Sequence, residues 1–136
     1  MKAIFMLVLL VAGYGAVAFG SGWRCNGDEG YRVKLINHTG PTRKPAVFIV
    51  SQRGSGTLLT AKNEEIRKTN LEKGVRYVAD AGEHDPISGR AILYVEYKEG
   101  QDRPLKFGES VDGKLILDLD SGKEEVDLAC YRYLKN

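Results

Sequence analysis

Lys114-Leu115-Ile116-Leu117-Asp118-Leu119 is followed by Asp120-Ser121-Gly122-Lys123 and then by a second run from Glu124 to Tyr133. Leu115, Leu117 and Leu119 alternate with their neighbours, which places them on one face of a strand. The Asp-Ser-Gly-Lys stretch supplies turn residues between two such runs, as a hairpin requires. In the second run Val126, Leu128 and Cys130 share the inward parity. Two strands and a tight turn, with no helical period, set the reading for the rest of the chain.

The same pattern recurs upstream. Tyr31, Val33 and Leu35 alternate with Arg32 and Lys34 and end at Asn37-His38-Thr39-Gly40-Pro41. Ala46 to Val50 is a short apolar run of the kind buried on both faces. Ser51 to Gly56 turns the chain into Thr57 to Thr60, and Gly74 opens Val75 to Ala79. Ala91 to Tyr97 reads as the longest clear strand, and Asp112-Gly113 as a hairpin turn. Lys62 to Lys73 fits either a short helix capped by Asn63 or a strand over Glu65 to Thr69, with strand the preferred reading. The sum is eight or nine short strands with regular turns and no long amphipathic helix. This predicts a single all-β antiparallel sandwich or barrel over residues 21–136.

The N-terminus reads as a cleavable signal peptide over residues 1–20. Met1-Lys2 carries positive charge, Ala3 to Ala12 is uninterrupted and apolar, and Gly13 to Gly20 offers small residues at cleavage spacing. Cutting is expected after Ala18 or Gly20. The apolar run is too short to span a bilayer, which needs about 20 residues. Gly22-Trp23-Arg24 before Cys25 does not suit lipid attachment. The expectation is a secreted or periplasmic protein without stable membrane insertion.

Export bears on the cysteines. Cys25 and Cys130 are the only two in the chain, and an oxidising compartment pairs them. The bridge joins the first strand to the last, and closing so long a loop is worth up to about 4–5 kcal/mol by chain entropy. Without Lys2 the charge is near balance, which gives no reason to expect generic nucleic-acid or membrane-surface binding. Residues 24–76 nevertheless carry 11 basic and 5 acidic side chains, and residues 77–136 carry 8 and 13. A β fold that interleaves distant strands would erase this asymmetry.

Chemistry is sparse. His38 and His84 are the only ordinary general bases near neutral pH. His84 lies between Glu83 and Asp85, which makes a small hydrolase the enzymatic reading, but no nucleophile is marked out. Gly54-Ser55-Gly56 reads as a turn, with neither a nucleophile elbow nor a phosphate loop around it. Asp118 to Gly122 starts like a calcium loop, yet its glycine comes early and position twelve is Ala129. No metal or cofactor is expected. Arg43 and Lys44, in a Pro-containing loop, and His84 are the candidate binding residues.

Trp23-Arg24-Cys25 resembles the aromatic-x-Cys start of the small periplasmic lysozyme inhibitors, which are β-barrels. Lys73-Gly74-Val75-Arg76-Tyr77 approaches their Ser-Gly-x-x-Tyr inhibitory motif, with Lys73 in the place of the serine. Gly22-Trp23 echoes the lipocalin Gly-x-Trp out of register. These likenesses cover a handful of residues and identify no family. The leading expectation is a non-enzymatic exported domain that binds a protein or envelope component. A secreted inhibitor of a lysozyme- or protease-type hydrolase stands second.

Overall fold

The structure, a computed structural model, describes residues 21–40, 43–98 and 101–133. The signal peptide expected over 1–20, and Pro41 and Thr42 of the basic loop, lie outside the described residues. Nine strands follow in order: β1 (Gly22–Gly27), β2 (Tyr31–Asn37), β3 (Pro45–Gln52), β4 (Gly56–Lys62), β5 (Ile66–Asn70), β6 (Val75–Asp80), β7 (Gly89–Val95), β8 (Ser110–Leu119) and β9 (Gly122–Tyr133).

All pairings are antiparallel, and the spatial order is β4-β3-β2-β1-β9-β8-β7-β6-β5. The first and last strands are neighbours, and the result is a nearly closed barrel. The ends of the order, β4 and β5, run in the same direction one after the other, joined only by the short 3-10 turn Asn63–Glu65. β4 pairs with β3 and β5 pairs with β6. They act as two halves of one bent strand that carries the sheet from one edge to the other. The strand reading of this stretch therefore holds from Ile66, with a turn before it.

Side chains complete the seam. Asp85, in the β6–β7 loop, accepts the Thr60 N–H of β4 at 3.2 Å and the Gly82 N–H at 2.6 Å. Glu65 accepts the Lys62 N–H at 2.8 Å. An exposed edge amide is a template for unwanted pairing, and a carboxylate placed on it blocks that route.

The interior is filled. Trp23, Phe48, Tyr77, Leu59, Leu93, Leu115 and Leu117 are each at most 1% exposed, so side chains fill the barrel among the described residues. On β3, Ala46, Phe48 and Val50 are buried while Val47 and Ile49 are half-buried. The expected two-sided burial of this strand is corrected: its second face is only half-buried, with no layer over it among the described residues.

Cys25 and Cys130 are direct cross-strand partners on β1 and β9, bonded, with Cα atoms 4.0 Å apart. The Asp112-Gly113 hairpin is corrected as well. Both residues lie inside β8, paired with β9 and, for Gly113, with Val95 of β7. Residues 96–109 make the connection instead, and the longest strand is β9 rather than 91–97.

Candidate functional site

The exposed side chains of the described residues lie on the outer wall and on the end loops. The β7–β8 connection, residues 96–109, is the longest between strands. It folds over the barrel end marked by Trp23 and Arg132. There the Arg132 guanidinium lies 5.0 Å from the Trp23 ring centre and 5.9 Å from that of Tyr97. The two rings meet edge to face at 5.5 Å. Cation and quadrupole attract, and the stack plugs the end of the barrel. The Tyr97 hydroxyl then donates to the Arg103 carbonyl at 2.9 Å and fastens the loop to the plug.

From that anchor the loop is braced on itself. Arg103 and Glu109 form a two-pronged ion pair, with Nη1 to Oε1 at 2.9 Å and Nη2 on Oε2. Such forked pairs fix geometry as well as charge. Glu109 Oε1 also accepts the Lys106 N–H at 3.0 Å, and the Glu109 N–H donates to the Lys106 carbonyl at 3.0 Å. Arg103, followed by the Lys106 amide, holds the Glu109 carboxyl down at about 2. Gly108 takes φ of 82°, a left-handed turn position that glycine adopts without strain. At the tip of this turn stands Phe107, fully exposed and the only exposed large apolar side chain among the described residues.

Beside the same end of the barrel runs an open cleft of about 670 Å³, lined by Leu71, Lys73, Tyr94, Glu96, Asp112 and Lys114 among others. Its lining combines Lys73 and Lys114, three carboxylates and the Tyr94 ring. That mixture suits a polar polypeptide surface better than a compact apolar ligand.

The residues singled out from sequence lie on two loops. Arg43 and Lys44 are exposed on the β2–β3 loop. His84 is exposed on the β6–β7 loop. Asp85 is committed to the Thr60 and Gly82 amides, and His84 lines neither cleft described among these residues. Among the described residues no nucleophile–base pair forms at His84. His38 Nε2 lies 2.7 Å from Asn63 Oδ1, across the bend between β4 and β5. No group of three or more His, Cys, Asp or Glu that could hold a metal occurs among the described residues.

Tyr77, in the segment that approaches the inhibitory motif, is 1% exposed and belongs to the core. Lys73, Gly74 and Val75 of the same segment line the cleft. Sequence reading missed Phe107 because a lone phenylalanine between loop residues carries no period. Its one signal was a large apolar residue directly before a glycine in a polar stretch.

Fold and loop together define a class: a small, side-chain-filled antiparallel barrel that presents a braced aromatic tip. No family model, curated protein or solved structure matches the chain.

Proposed function

We propose that this is an exported, non-enzymatic binding domain that grips a protein partner through Phe107 and the loop that carries it. The observation behind this reading is the contrast between the tip and its support. A fully exposed phenylalanine is unfavourable in water, while the loop beneath it is fixed by an ion pair, two turn hydrogen bonds and the Tyr97 tether. An aromatic held rigid before binding loses little entropy when it enters a pocket, which is how anchor residues dominate interfaces. The adjoining cleft, with charges of both signs, supplies a polar rim.

A projecting, internally braced loop also suits insertion into an enzyme cleft. This favours the hydrolase-inhibitor reading as the second one. Capture from envelope or extracellular extracts by the oxidised protein tests the first reading, with Phe107→Ala as comparison. Expected is one partner, held by the wild type and lost by the variant, with unchanged melting of both. Recovery of the same proteins by both would remove Phe107 from the account. Assay of the captured partner, or of lysozymes and proteases at excess inhibitor, separates the second reading from the first.

A further inference from the structure

A meander keeps chain neighbours as spatial neighbours, so the charge asymmetry of the sequence survives folding instead of being erased. Residues 21–62 hold seven Lys and Arg against two carboxylates, and those two, Asp28 and Glu29, sit in the turn after β1. No Asp or Glu lies on β1, β2, β3 or β4. Next to them, where β9 adjoins β1, β8 and β9 carry five carboxylates against three cations.

The registers gather these cations on one outer face. Arg24 pairs with Lys34, Lys34 with Ile49 and Ile49 with Thr60. In the next outward row Ile36 pairs with Val47 and Val47 with Lys62. Arg24, Arg32, Lys34 and Lys62 are exposed, and Ile36, Val47 and Ile49 are half-buried. At the border, Glu65 and Asp85 are turned to the amides of Lys62 and Thr60. Four strands at about 4.8 Å spacing make the face about 14 Å wide.

Strands that carry cations and no carboxylate of their own create a field that concentrates anions. Between those cations lie three half-buried β-branched apolar side chains, whose remaining exposed area an apolar phase in the partner would cover. A soluble polyanion has none, whereas the boundary between headgroups and acyl chains offers both. We infer that the β1–β4 face docks the protein peripherally on a bilayer carrying anionic headgroups. The cations meet the headgroups, and Ile36, Val47 and Ile49 reach the boundary beneath them. This is independent of the Phe107 reading, whose loop joins β7 to β8.

Flotation of the oxidised full chain with phosphatidylcholine vesicles, and with vesicles part of whose lipid is phosphatidylglycerol, tests it. The readout is the difference between the two, to which the apolar run at residues 3–12 contributes little. Expected is at least about tenfold more protein on the anionic vesicles, lost near about 1 M salt, where the Debye length falls to about 3 Å. Arg32→Glu with Lys62→Glu should abolish the difference, and Lys123→Glu on β9 should leave it unchanged. Should the reversals unfold the protein, Arg32→Gln with Lys62→Gln gives the same reading with a smaller loss. Val47→Ser with Ile49→Ser should weaken binding several-fold at constant charge. Equal binding to both vesicles, or insensitivity to the Arg32 and Lys62 changes, overturns the proposal. So does anionic binding that polyphosphate fully competes and the Val47 and Ile49 changes leave intact, which reassigns the face to a soluble polyanion. Vesicle binding retained by Phe107→Ala while partner capture is lost shows the two sites to be separate.

Discussion

A Cβ placed on Gly113 would lie 2.6 Å from Cys130 Sγ and 2.8 Å from the Tyr94 carbonyl oxygen. Gly113 has the inward parity of Leu115 and Leu117, so its missing side chain is the space that the disulfide occupies. Gly113→Ala should therefore destabilise the oxidised protein by about 1–3 kcal/mol, the usual cost of overpacking a filled core. Part of that cost should vanish when Cys25 and Cys130 are both alanine, because the sulfur is gone while the Tyr94 carbonyl remains. Urea denaturation of the four proteins in this cycle reads the coupling directly.

The bridge itself closes a separation of 105 residues, yet it joins two strands already paired along their lengths. Cys25→Ala with Cys130→Ala should lower stability by about 2–5 kcal/mol, mainly through a less restricted unfolded chain. The barrel should remain assembled, because the β1–β9 register does not depend on the sulfurs. Far-ultraviolet circular dichroism of the reduced-equivalent variant should match the wild type below its earlier transition. Loss of β signal before any denaturant is added would show the bridge to be required for closure.

Tyr31 sits at the opposite end of the barrel from the Trp23 plug and is 5% exposed. Its hydroxyl donates to Glu124 Oε2 at 2.6 Å, linking β2 to β9 past β1. Burial, then the hydrogen bond and charge of Glu124, push its pKa up from 10.0 to about 12. The folded state thus prefers the protonated phenol. Its contribution is complete below pH 10 and is lost as pH rises from 10 towards 12, to a total of roughly 2 kcal/mol. Tyr31→Phe should be less stable at neutral pH by about 1 kcal/mol. Its stability should fall less steeply than that of the wild type between pH 10 and 12, which parallel denaturation series would measure.

Much of this architecture is legible in the residues, for identifiable reasons. Period-two alternation over 31–35 and 115–119 reports one buried face, and the structure has one. Cys25 and Cys130 share the parity of Trp23 and Leu128, and all four point inward. Asp112-Gly113 misleads because its glycine answers to a sulfur that is distant in sequence, not to a turn. The Asn63 to Glu65 bend is short of a helix and interrupts the strand pattern, so no local period describes it. The loop that presents Phe107 depends on Arg103, Glu109 and Tyr97 acting together, a relation of geometry that no spacing encodes. The charge asymmetry was visible in the chain, but its survival depended on the order of strands.

Glu109 makes the loop under Phe107 sensitive to acid. Its carboxylate holds Arg103 and the Lys106 amide at once, and the Arg103 hydrogen bond first, then the Lys106 amide, bring its pKa from 4.5 to about 2. A depressed carboxyl favours the folded loop above its ordinary value, and that support is lost as pH falls from 4.5 through 2. Because the pair is exposed, the effect belongs to the order of the loop rather than to global stability. Glu109→Gln should accordingly leave the melting transition nearly unchanged while it quickens hydrogen exchange at the Lys106 and Glu109 amides. If rigidity beneath Phe107 gives the tip its grip, the same variant should bind the captured partner more weakly by faster dissociation. Asp102→Asn, which alters the neighbouring turn through the Lys98 amide but leaves the Arg103–Glu109 fork in place, should dissociate at nearly the wild-type rate. Equal dissociation rates for the wild type and Glu109→Gln would mean that the aromatic tip acts without its brace.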